Sequence, residues 1–66
     1  MKLINKIDNQ EVKVGGKISG GRLDKYYAIV EKIYLNYILV HYNGECRSVE
    51  LRRENLNRMD LDLVTD

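Results

Sequence analysis

Tyr26 to Leu51 reads YYAIVEKIYLNYILVHYNGECRSVEL, the one stretch of this chain in which strand-type alternation and turn residues occur together. Tyr26, Ala28 and Val30 fall on one face and Tyr27, Ile29 and Glu31 on the other, with the β-branched and aromatic types that strands favour. Apolar residues also recur three and four apart in YAIVEKIYL, a helical spacing, but Asn36 interrupts that run and the residue types predict a strand over 26–34. After a turn at Leu35-Asn36, residues 37–42 are nearly continuously apolar, as in a strand covered on both faces. Asn43-Gly44 is the strongest hairpin signal, because both residues tolerate the positive φ of a two-residue turn. It predicts a fourth strand over 46–51 that sends Val49 and Leu51 inward.

Upstream, Val12 and Val14 alternate, and the pairs Gly15-Gly16 and Gly20-Gly21 bracket Ile18 in a chain without proline. Such glycines point to tight turns, bulges or barrel corners, so a short first strand is expected near 17–20 and a charged loop at GGRLDK. Leu3, Ile4 and Ile7 fit either one helical turn or an irregular lead-in, which leaves residues 1–11 open. Downstream, RRENLNRM predicts a helical turn at about 53–56 and a closing strand at about 57–61. The acidic end, 61–66, is expected to be a flexible tail.

Sixty-six residues make one domain, 1–66, with a core over about 12–61; a chain this short buries only about 60% of its unfolded surface. A single cysteine, Cys46, permits no internal disulfide, and with the lone His41 it makes no zinc site. No apolar run is long enough for a signal-peptide core or a membrane span, so a soluble, cytoplasmic protein with no membrane partner is expected. Four or five short strands in so small a chain are best satisfied by a sheet that curls on itself. The predicted fold is all-β, a small five-stranded, partly open β-barrel with one helical turn near the C-terminus.

Eleven Lys and Arg against ten Asp and Glu give a net charge of +1, too little for binding driven by bulk phosphate attraction. The distribution is uneven. Lys13, Lys17, Arg22 and Lys25 face only Asp24 between residues 13 and 25, whereas DLDLVTD carries three aspartates and no cation. Arg47, Arg52, Arg53 and Arg58 form a second cluster suited to forked anion contacts, with Glu45, Glu50 and Glu54 interleaved as competing local partners. The tyrosines offer rings that either stack on unpaired bases or pack as half-buried strand residues.

YYAIVEKI, ILVHYNG, and SVEL followed by RRENL together resemble the Tudor, chromo-barrel and MBT group of SH3-like barrels, over about Val14 to Leu56. The resemblance implies an SH3-like barrel that works by binding. In that group an aromatic cage commonly holds a methylated lysine or arginine. Carried over by position, Tyr26 and Tyr42 match cage aromatics, while Glu45 stands where the cage tryptophan usually is and Leu51 where a further tryptophan would be. The chain has no tryptophan or phenylalanine, so the resemblance implies the fold rather than the ligand.

No pattern argues for catalysis or a cofactor. His41 reads as a surface or sheet-edge residue without a partner for general-base chemistry, Cys46 as a small strand residue, and GGKISGG lacks the spacing of a phosphate loop. The expected function is a non-catalytic binding module acting on nucleic acid or a nucleic-acid-handling protein, through a face of Lys17, Arg22, Lys25, Tyr26, Tyr42, Arg47, Arg52 and Arg53. The alternative is a protein-interaction domain of a phage or mobile element that inhibits or adapts a host protein, docking through an exposed strand edge or the acidic tail. The Asn-, Ile- and Lys-rich composition fits a bacterial or phage source.

Overall fold

The structure is a computed structural model that describes residues 1–19 and 27–65. The described chain is a small all-β domain of seven strands and one short helix, arranged as two antiparallel sheets. One sheet has the order β2 (Glu11–Val12), β1 (Lys2–Asn5), β7 (Leu61–Val64); the other has the order β3 (Lys17–Ser19), β4 (Tyr27–Ile33), β5 (Tyr37–Tyr42), β6 (Ser48–Arg52). Helix α1 (Arg53–Arg58) links β6 to β7.

The N-terminal residues form neither a helical turn nor a lead-in. Leu3 is fully buried at the centre of the three-stranded sheet, opposite Val12 on one side and Leu63 on the other. The hairpin that makes this possible is closed by short polar side chains. Asn5 Oδ1 accepts from Ile7 N–H at 2.9 Å, Asp8 Oδ1 accepts from Gln10 N–H at 3.0 Å, and Asn9 takes a φ of 60°. Asn and Asp are the residues that tolerate this geometry and bond their own backbone.

Passage from the first sheet to the second is a tight turn. Gly16 N–H donates to Lys13 O at 2.8 Å, and Gly15 sits at φ 89°. Both glycines then hook onto β4: Gly15 N–H donates to Val30 O and Val30 N–H to Gly16 O.

In β4 the apolar phase changes. Ala28 and Val30 face the core, and so does Ile33, an odd interval that a regular strand would turn outward. A β-bulge at Glu31 resolves the conflict: Val30 lies opposite Val40 and Lys32 opposite Leu39, so Glu31 is the extra residue and the core register is kept on both sides of it. The β4–β5 turn falls at Leu35-Asn36, with Tyr34 N–H donating to Tyr37 O at 2.9 Å. Strand β5 covers the predicted 37–42, with Ile38 and Val40 fully buried.

Asn43-Gly44 does form a turn, with Glu45 N–H donating to Tyr42 O at 3.0 Å, but only Gly44 has a positive φ, 86°. The loop continues through Glu45, Cys46 and Arg47, and β6 starts at Ser48 rather than at Cys46. Val49 and Leu51 point inward as expected.

Helix α1 runs two residues beyond the predicted turn. Leu56 plugs the core, Asn55 Oδ1 accepts from Arg52 N–H at 3.3 Å, and Glu54 and Arg58 complement the helix ends. The chain reverses at Asp60, φ 57°, whose carbonyl accepts from Lys6 N–H at 2.8 Å. The closing strand is then 61–64, later than predicted, so most of the expected flexible tail is core strand. Leu61 and Leu63 are buried and complete one hydrophobic cluster with Leu3, Ile18, Ala28, Val30, Ile38, Val40, Leu51 and Leu56.

The five-stranded expectation therefore differs from the seven strands described, because the N-terminal hairpin and the late β7 add a second sheet. The sheet pairings are separate, and no closed barrel is formed.

Candidate interaction surface

The face of the four-stranded sheet turned away from the core is set by the registers. Lys17, Ile29, His41 and Ser48 form one cross-strand row, Lys32, Leu39 and Glu50 the next, and Tyr37 lies opposite Arg52. Tyr27, Ile29, Tyr37, Leu39 and His41 are all half-buried on this face, so it presents apolar and aromatic area between polar groups.

Its polar centre is Glu31. The bulge brings the carboxylate within 2.9 Å of His41 Nδ1 on β5, and Ser48 Oγ on β6 donates to its two oxygens at 2.9 and 3.1 Å. One carboxylate thus ties three strands together across the outer face. The Ser48 hydroxyl, first, and the His41 hydrogen bond, second, hold the Glu31 carboxyl below the usual glutamate range. Ser48 donates to the carboxylate rather than to the imidazole, so Glu31 is the shared acceptor of the trio. Sequence spacing alone gave no sign of this trio. The phase change from Val30 to Ile33 is the signal that locates the bulge and so places Glu31 beside His41.

The other charges on the face also have neighbours. Lys17 Nζ lies 4.7 Å from the centroid of the Tyr27 ring. Arg52 Nε donates to Glu50 Oε2 at 3.1 Å, in a pair exposed enough to contribute little to stability. Lys32 lies in the field of Glu31. At the hairpin tip the rings of Tyr34 and Tyr37 are 4.8 Å apart and tilted by 30°, with Leu35 exposed beside them.

The residues anticipated for binding are dispersed over this scaffold. Lys17 and Arg52 share the outer face but stand in different rows. Tyr42, opposite Ala28, packs half-buried against the core. Arg47 is exposed in the loop after β5, where it lines an open hollow with Glu45, Cys46 and Val49. Arg53 is engaged by the fold: Nη1 donates to Leu63 O at 3.0 Å and Nη2 to Leu35 O at 2.9 Å. Arg22, Lys25 and Tyr26 lie outside the described residues.

Among the described residues no group of three or more His, Cys, Asp and Glu is placed to hold a metal ion, and no helix is long and apolar enough to cross a membrane. No family model, no curated protein and no solved structure matches the chain.

Proposed function

We propose that this protein is a non-catalytic binding module that docks another protein on the outer face of its four-stranded sheet. The observation that carries the reading is that each charge described there has a neighbour on the face, an opposite charge for Glu31, Lys32, Glu50 and Arg52 and an aromatic ring for Lys17. Lys17 rests on Tyr27, Glu31 on His41 and Ser48, Lys32 near Glu31, and Arg52 on Glu50. A phosphate backbone is held chiefly by cations free to replace its counterions. A protein surface instead gains from half-buried Tyr27, Ile29, Leu39 and Tyr37, with matched polar groups around them. An SH3-like scaffold is the finer reading of the fold, and the helical turn between β6 and the terminal strand supports it.

Binding of nucleic acid is the second reading. It is favoured by the Tyr34–Tyr37 ring pair, which lies on the same face as Arg52 and would serve as a stacking platform.

The test is an amide NMR titration of labelled protein with short single- and double-stranded oligonucleotides at low and near-physiological salt, beside a pull-down from host extract with the parent and Leu39→Asp. Protein docking predicts a partner retained in high salt by the parent and lost with Leu39→Asp, with no shifts caused by oligonucleotide. Salt-sensitive shifts at Lys17, Tyr37, Arg47 and Arg52 would overturn it in favour of nucleic acid.

A further inference from the structure

The two sheets have four outer strands, and they differ in what their free edges offer. Strand β2 is two residues long and β3 three, too short to template much pairing. On β7 the Leu63 carbonyl is taken by Arg53. Strand β6 is the longest at five residues and, among the described residues, pairs only with β5. Arg52 N–H turns away from β5 to reach Asn55 Oδ1, so the alternation of an antiparallel ladder puts the N–H and C=O groups of Ser48 and Glu50 on the free side as well. None of these groups has a backbone partner there among the described residues.

The side chains along this edge specify what fits it. A strand added antiparallel to β6 must place a cation opposite Glu50, a carboxylate opposite Arg52 and an apolar residue between them, opposite Leu51. Read in the opposite direction, β6 itself has that order: Arg52, Leu51, Glu50. The segment is self-complementary about Leu51.

We propose that the free edge of β6 is a pairing site for a second copy of this chain, in an antiparallel register centred on Leu51 that sets each Glu50 against the other copy's Arg52. By two-fold symmetry the ion pair occurs twice, and the two four-stranded sheets become one continuous sheet. A register centred on Glu50 sets the two Glu50 carboxylates against each other and is disfavoured, and one centred on Val49 sets Glu50 against Ser48 and forgoes both ion pairs. The Arg52–Asn55 bond, at 3.3 Å, is long and yields its N–H to the new ladder. The Arg52 and Glu50 side chains are 69% and 43% exposed, so both are available for exchange between copies.

Sedimentation equilibrium over micromolar to millimolar protein tests this with the parent, Glu50→Arg, Arg52→Glu and the double exchange. Each single variant turns two attractive pairs into two like-charge pairs and is expected to weaken self-association roughly tenfold, whereas the double exchange restores it. Circular dichroism confirms that the variants are folded. A parent that stays monomeric at millimolar concentration overturns the proposal, as does a folded double exchange that associates no better than the single variants.

Discussion

Arg53 Nη1 donates to the carbonyl of Leu63 at 3.0 Å, while the other arm of the same guanidinium reaches the carbonyl of Leu35 at 2.9 Å. One side chain at the start of α1 therefore clamps the closing strand of the first sheet to the β4–β5 hairpin of the second. Two backbone carbonyls at the rim are satisfied by a donor that water would otherwise have to replace. Arg53→Ala should lower the unfolding free energy by about 1–2 kcal/mol, at the lower end for charged hydrogen bonds because the site is partly exposed. Lysine cannot span both acceptors with its single ammonium, so Arg53→Lys should recover less than half of the loss. Urea denaturation of the three proteins decides it; equal midpoints would show that the clamp contributes nothing.

The closing strand is the second place where sequence and structure diverge. Leu61 and Leu63 are buried at 3% and 4% exposure, and Leu63 lies opposite the fully buried Leu3. Leu63→Ala should cost about 2–5 kcal/mol, a large part of the stability of so small a domain. Removing residues 61–66 should abolish the cooperative transition. A truncated chain with a parent-like melting curve would mean that β7 is dispensable.

That divergence has a physical cause. Alternation in DLDLV marks a strand, but three aspartates and a terminal position resemble a frayed tail, and only the partner strand decides. That partner is β1, whose Leu3 and Ile4 are too few to show a period. Pairing between the two chain ends is a property of the whole fold, invisible in any local window. The central strands were legible because each carries its own alternation and turn, as in Tyr37–Tyr42. Residue type points to Arg53 and Tyr42 as binding residues, but type does not reveal that the Arg53 guanidinium is spent on carbonyls or that Tyr42 packs on the core.

Gly15 and Gly16 differ in the reason each must be glycine, and substitutions separate the reasons. Gly15 has open space around it but a φ of 89°, whereas a Cβ on Gly16 would sit 2.8 Å from the Lys13 carbonyl and 3.2 Å from Val12 Cγ1. Alanine at either position should destabilise by about 1–2 kcal/mol. Asparagine should recover part of the loss at residue 15, where it tolerates left-handed backbone, and none at residue 16. Thermal melts of the four variants test the pattern, and recovery by asparagine at residue 16 would contradict the steric account.

Glu31 should give the protein a distinct acid response. Ser48 and then His41 hydrogen-bond its ionised form, so its carboxyl titrates below the glutamate range in the folded state. A depressed folded pKa stabilises the protein above the unfolded pKa of the group, and that contribution is lost as the pH falls through the folded pKa. Stability should therefore decline on acidification below about pH 5, where a free glutamate begins to protonate. Glu31→Gln keeps an acceptor but not the charge, so its melting temperature should lie below the parent's at neutral pH and fall less on acidification, until the two curves converge. Ser48→Ala removes the larger of the two causes and should move the Glu31 carboxyl back toward the ordinary range, measurable by a side-chain carboxyl NMR titration. Parallel melting curves for the parent and Glu31→Gln down to pH 3 would show that the carboxylate linking β4, β5 and β6 carries no differential interaction with the folded state.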